Sequence, residues 1–149
     1  MKRWFWLVLW LAWVGLYVVF SSRVGSPENS AGWLLNLLQQ FAPELAQRLT
    51  PETLSILNYI VRKGAHFFGF AILNLLAYWM FRRTFGMERR RALRWAVITS
   101  IVRAALDETQ QAFVPGRSAM ITDVLIDSAG VLLMAWLIQS RWTRRVEVR

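Results

Sequence analysis

The chain has 149 residues, 56% of them apolar, and no cysteine. Its 18 Lys and Arg against 9 Asp and Glu give a net charge of +9. So much Trp, Phe and Leu excludes a disordered chain, and the lack of cysteine excludes a disulfide framework, thiol chemistry and cysteine-based metal sites.

The placement of the basic residues separates a nucleic-acid binder from a membrane protein. Twelve of them fall in three short stretches: Lys2 and Arg3, Arg82 to Arg94, and Arg141 to Arg149. These stretches lie between or beyond long apolar runs, as cytoplasmic flanks do in a membrane protein. A nucleic-acid groove needs a soluble scaffold, and the sequence shows none.

The first apolar run, Trp4 to Phe20, has 17 residues and no charge. At helical rise it covers roughly 25 Å, a little short of the hydrocarbon core, and Ser21 and Ser22 extend it. It is longer than a signal-peptide core, and Trp4, Trp6, Trp10 and Trp13 make it bulkier, so it reads as an uncleaved anchor. Gly25-Ser26-Pro27-Glu28-Asn29-Ser30 reads as a loop. Trp33, Leu34, Leu37, Leu38 and Phe41 then recur at helical spacing until Pro43. Thr50-Pro51-Glu52 starts another short helix, with Thr50 as its cap. Neither piece is long enough to span, so segment 30–58 is expected as interfacial helices or as a cap on the bundle.

Three more spans follow, at 60–81, 92–110 and 122–140. The third is the weakest by hydropathy, because Arg94 and Arg103 interrupt it; only Asp127 interrupts the fourth. The expected fold class is an all-α membrane protein with four transmembrane helices and short interfacial helices between the first and second, in one domain over 1–149. The flanks 1–3, 82–94 and 141–149 together hold 12 basic and 2 acidic residues, and the remainder holds 6 basic and 7 acidic. Four spans with both termini cytoplasmic put every short Arg cluster on one side.

Ionisable groups inside spans cost about 2.5–3.5 kcal/mol each on insertion scales, so they persist where they pair or do chemistry. Here the topology gives them one depth, toward the outer face. Arg62, Lys63 and His66 open the second span. Arg103, Asp107, Glu108 and Gln111 close the third, Pro115-Gly116-Arg117 makes the turn, and Asp123 and Asp127 open the fourth. Lys63 and His66 share a helical face, as do Arg103 with Asp107, Asp107 with Gln111, and Asp123 with Asp127. Gly130 continues the last stripe. Ala65 and Gly69 are a small pair at i,i+4 that lets another helix approach closely. Ser118 or Thr122 is expected to cap the fourth span.

These residues carry a resemblance. Arg62-Lys63-Gly-Ala-His66-Phe, Asp107-Glu108-x-x-Gln111-x-Phe113-Val-Pro115-Gly116-Arg117 and Asp123-x-x-x-Asp127-x-x-Gly130, with Phe20-Ser21-Ser22, resemble the VanZ-like family of small bacterial membrane proteins. The resemblance runs from about Trp4 to Trp142 and implies a bacterial plasma-membrane protein. It also implies a link to resistance against glycopeptides of the teicoplanin type. One position departs from the family pattern: Gln110 stands where the family usually has His, which puts in doubt any role that needs a second imidazole.

Three uses of the polar cluster compete. The first is a network of intramembrane ion pairs. The second is an outward-facing site for a lipid or cell-wall precursor headgroup. The third is Mg²⁺ or Ca²⁺ held by carboxylates. Ligand-binding candidates are Lys63, His66, Glu108, Gln111, Arg117, Asp123 and Asp127, with Arg103 and Asp107 as a structural ion pair. Adjacent residues on a helix point about 100° apart, so Glu108 is expected to face inward with Gln111 while Asp107 turns to Arg103. Arg117 beside the Pro-Gly turn suits anion capture. No metal or other cofactor is expected, the partners are membrane lipids and a lipid-linked precursor, and no nucleic acid is implied. A binding protein is favoured over an enzyme acting on a lipid phosphate or acyl group, in which His66 or Glu108 serves as acid or base. A structural subunit locked by its charges is the remaining alternative.

Overall fold

In a computed structural model that describes residues 3–115 and 119–147, the chain is all helix with short connections, and the described residues form no strand. Helix α1 spans Phe5–Phe20, α2 Pro27–Phe41, α3 Pro43–Arg48, α4 Pro51–Trp79, α5 Arg89–Ala112 and α6 Ile121–Glu147. Two stretches are long and apolar enough to cross a membrane, Pro51–Thr84 and Ile121–Arg141, and α1 is a shorter apolar helix. Helix α5, at 24 residues, is about 36 Å long, but its charges keep it outside that class.

Two connections differ from the sequence expectation. The stretch expected as a loop at 25–30 instead starts a helix. The Ser26 side chain accepts the N–H of Asn29 and Pro27 occupies the first helical position of α2, so Ser-Pro-Glu acts here as an N-terminal signal. Thr50 does cap a helix, accepting the N–H of Thr53 at 3.2 Å, but that helix is not a separate interfacial piece. It is α4 itself, 29 residues without interruption, because nothing between Pro51 and Trp79 breaks the backbone ladder. A 3₁₀ turn at Arg23–Gly25, α2 and α3 separate α1 from α4. The Asn58 amide donates to the Pro27 carbonyl at 2.9 Å and docks the start of α2 against α4.

Close approach of the helices rests on small residues. Ala92, Ala96, Ser100 and Ala104 make one buried stripe down α5. A side chain at Gly130 of α6 would overlap the Phe67 carbonyl of α4, so only glycine allows this α4–α6 contact. The Ala65/Gly69 pair receives α1: the Tyr17 hydroxyl lies over Gly69 and donates to the Ala65 carbonyl at 3.1 Å, and the Trp13 indole donates to the Gly69 carbonyl at 3.1 Å. Phe70, Leu73, Ala104 and Val131 fill the space between, and Asn74, fully buried, donates to the Val131 carbonyl at 3.2 Å.

These contacts set the direction of each long helix. The Arg3 guanidinium donates to the Thr84 carbonyl and the Thr84 hydroxyl to the Arg3 carbonyl, each at 2.9 Å. The start of α1 therefore meets the end of α4. At that same end a cavity of about 430 Å³ is lined by Arg82, Arg83, Arg89 and Arg141 around Tyr78 and Trp79. Ser21, just past α1, bonds Asp107 near the end of α5. Helices α1, α4, α5 and α6 therefore alternate in direction, with the arginines at one end and the carboxylates at the other.

Candidate functional site

Four helices deliver polar groups to one place: Ser21 after the end of α1, Lys63 and His66 from the middle of α4, Arg103, Asp107 and Gln111 from the second half of α5, and Asp123 and Asp127 from the start of α6. Asp107 lies at the centre and is fully buried. The Ser21 hydroxyl donates to its Oδ1, the Gln111 amide donates to its Oδ2 at 2.7 Å, and the Arg103 guanidinium lies 3.1 Å from Oδ1. Asp127 is equally buried, and its one ion-pair partner among the described residues is His66, with Nδ1 3.4 Å from Oδ1. That contact is too misaligned for a hydrogen bond, so both oxygens of Asp127 lack a hydrogen-bond partner among the described residues. His66, Asp107 and Asp127 each offer a ligand atom, and all three atoms lie within 4.8 Å of one another.

The imidazole is held by aromatic rings. Tyr17 meets His66 edge-on with centroids 6.1 Å apart, and Phe70 stacks on it at 6.5 Å. One turn outward, Lys63 and Asp123 form an ion pair, and the Lys63 ammonium lies 5.0 Å from the Tyr59 ring centroid. Glu108 accepts the N–H of Met120 through Oε2 at 2.8 Å. Its charge thus sits at the start of α6, where the helix dipole favours an anion. Its other oxygen, Oε1, is buried without a hydrogen-bond partner among the described residues.

Three expectations need correction. Gln111 belongs with Asp107 rather than Glu108, because the i,i+4 spacing brings their side chains together while Glu108 turns to the α5–α6 connection. Asp107 and Glu108 are both buried, so Asp107 also faces inward: the two meet different neighbours, α1 and the start of α6. Thr122 lies inside α6 rather than capping it. Gly116, Arg117 and Ser118 lie outside the described residues, and with them the expected anion-binding role of Arg117. Gln110, at the position of the family departure, donates to the Val18 carbonyl at 3.0 Å and ties α5 to α1.

A groove of about 490 Å³ opens beside this cluster. It runs between α1, α2 and α4, not between α4, α5 and α6, because the small-residue stripe of α5 and Gly130 close the latter space. Its walls are mainly apolar, with Leu16, Phe20, Trp33, Leu37, Phe68 and Ile72 among them, while Arg62, Tyr17 and His66 also line it. His66 thus faces the groove on one side and Asp127 on the other. Arg62 forms no ion pair with a described residue. Sequence reasoning did not count Ser21, Tyr17 or Arg62 as site residues. A signal for the first two was present: Tyr17 and Ser21 are hydroxyls at i,i+4 in an otherwise apolar stretch, so they share a face.

Apolar helices of spanning length, packed through small residues around buried charges, are the features of a helical membrane protein. The family model VanZ/LLP1 matches residues 4–142, nearly the whole chain, and the chain belongs to that family. No curated protein and no solved structure matches it.

Proposed function

We propose that this VanZ-family protein lies in a bacterial plasma membrane as four spans, α1, α4, α5 and α6, with both termini cytoplasmic. The arginine-rich end then faces the cytoplasm and the carboxylate cluster faces outward, as the positive-inside rule requires. In this reading the groove between α1, α2 and α4 binds an amphiphile, a lipid or a lipid-linked cell-wall precursor. The apolar walls take the chain, and Arg62 with Lys63 meets an anionic headgroup. The protein thereby contributes to resistance to teicoplanin-type glycopeptides.

The observation that carries this reading is the groove itself: about 490 Å³ of mainly apolar wall with Arg62 and His66 lining it. A guanidinium that forms no ion pair with a described residue, beside such a wall, suits phosphate or carboxylate. The test expresses the chain in a susceptible host as wild type, Arg62→Glu and Leu37→Trp. Anionic amphiphile recovered with the purified protein is measured by mass spectrometry, and teicoplanin susceptibility is measured in parallel. Both variants are expected to lose the amphiphile and the protection. Equal recovery and equal susceptibility in all three overturn the reading.

A second reading, an enzyme acting on a lipid phosphate or acyl group, is supported by the His66 imidazole set between the groove and the Asp127 carboxylate. That arrangement can orient a general base. Its test is turnover of labelled lipid by purified protein, with and without EDTA, and lack of any product in both conditions counts against it.

A further inference from the structure

We propose that His66, Asp107 and Asp127 form a binding site for one divalent transition-metal ion, Zn²⁺ or Mn²⁺. The argument begins with charge. Four carboxylates converge here, and two are met by cations: Asp107 by Arg103 and Asp123 by Lys63. Among the described residues no Lys or Arg forms an ion pair with Asp127 or Glu108, yet both are buried, Asp127 completely. A carboxylate in that position without a hydrogen bond to either oxygen is costly unless something cationic meets it. His66 Nδ1 stands 3.4 Å from Asp127 Oδ1 without a hydrogen bond, so neither carboxylate oxygen is satisfied by a donor, and a metal ion between the two would meet both.

The geometry suits a metal. An ion at about 2.0–2.2 Å from each N or O donor holds its ligands roughly 3–4 Å apart. The His66–Asp127 separation of 3.4 Å falls in that range, and all three donor atoms already lie within 4.8 Å of one another. Asp107 is fixed from outside by the Ser21 hydroxyl, the Gln111 amide and the Arg103 guanidinium. The hydroxyl and the amide each donate to one oxygen, the guanidinium adds charge without a hydrogen bond, and acceptor capacity remains for the ion. Such outer hydrogen bonds are how proteins orient ligating carboxylates. Tyr17 and Phe70 limit the imidazole plane by ring packing instead. One nitrogen among oxygen donors, with no thiolate, suits Zn²⁺ or Mn²⁺ better than Mg²⁺ or Ca²⁺, which take oxygen ligands. His66 also lines the groove, which gives the ion an entry path. The site does not depend on what occupies that groove.

The experiment uses the full chain in detergent, stripped with EDTA and dialysed against Zn²⁺ or Mn²⁺, with bound metal counted by mass spectrometry. Wild type is expected to hold one ion per chain. His66→Gln and Asp127→Asn are expected to bind at least about tenfold more weakly, while Arg90→Ala at the opposite end binds as wild type does. Mg²⁺ and Ca²⁺ are expected to bind at least about tenfold more weakly than Mn²⁺. In the stripped state Asp127→Asn raises the thermal midpoint, since it removes an unmet buried charge, and it abolishes the rise that Zn²⁺ gives wild type. Pulsed EPR of Mn²⁺-loaded wild type needs no variant and is expected to show one coordinated imidazole nitrogen. Substoichiometric binding to wild type, binding that persists in Asp127→Asn, or Mn²⁺ without nitrogen modulation overturns the proposal.

Discussion

The two ends of the helix bundle use charge in opposite ways. At the arginine-rich end Arg83, Arg89, Arg90, Arg91, Arg94 and Arg141 are exposed, and each can meet water or lipid phosphate. At the carboxylate end Asp107, Glu108, Gln111 and Asp127 are buried, so their neighbours must satisfy them. The first end is a property of each residue separately. The second is a property of four helices held at one spacing. Charge that faces solvent reports topology, whereas charge that is buried reports a site, because only the second pays a desolvation cost that function or pairing must offset.

Substitutions at the two ends should therefore differ in size. The largest effect is expected for Asp107→Ala, which removes the acceptor of Ser21 and Gln111 and leaves the largely buried Arg103 guanidinium without its counter-charge. Removing one partner of a buried pair costs about 3–5 kcal/mol. Thermal or denaturant unfolding in detergent should show this loss, and a second substitution, Arg103→Leu, should recover part of it. An Asp107→Ala protein as stable as wild type would break the comparison.

Ser21→Ala is expected to have an intermediate effect. It deletes the one α1 side chain seen to donate to Asp107, and a hydrogen bond of this kind between membrane helices is worth about 1–2 kcal/mol at most. The same unfolding assay reads it, and a double-mutant cycle with Asp107→Ala should show that the two losses are not additive. Additive losses would mean that the bond contributes nothing.

The smallest effect is expected for Arg90→Ala, within about 0.5 kcal/mol of wild type, as for exposed positions in general. Its consequence should instead appear in topology. Reversing Arg89, Arg90, Arg91 and Arg94 together to Glu removes much of the basic bias between α4 and α5. Reporter fusions placed in that connection should then detect a mixed orientation. A single orientation in the reversed protein would show that this cluster does not set the topology.

Much of the site was legible before any coordinates. Helical spacing put Lys63 with His66, Arg103 with Asp107 and Gln111, and Asp123 with Asp127, and chain direction put these groups at one level. The pairings across helices were less accessible. Glu108 and Asp107 are neighbours in sequence, and local geometry alone could not say which would meet Gln111; the packing of α1 against α5, through Ser21, fixes Asp107 at the centre. The groove lies against α1 and α2, a placement that helical spacing alone does not give, because the stripe of Ala92, Ala96, Ser100 and Ala104 closes the space on the other side.

What the sequence determined by itself was local: which stretches are apolar enough for long helices, where Thr50 and Pro51 start one, and which polar residues share a face. These follow from the 3.6-residue period and the chemistry of caps, which act within a few residues. What only the tertiary structure decided was which faces meet. Gly130 against the Phe67 carbonyl and Tyr17 over Gly69 set the interhelix distances. Those distances bring His66, Asp107 and Asp127 within reach of one another, since burial and contact depend on residues far apart in the chain.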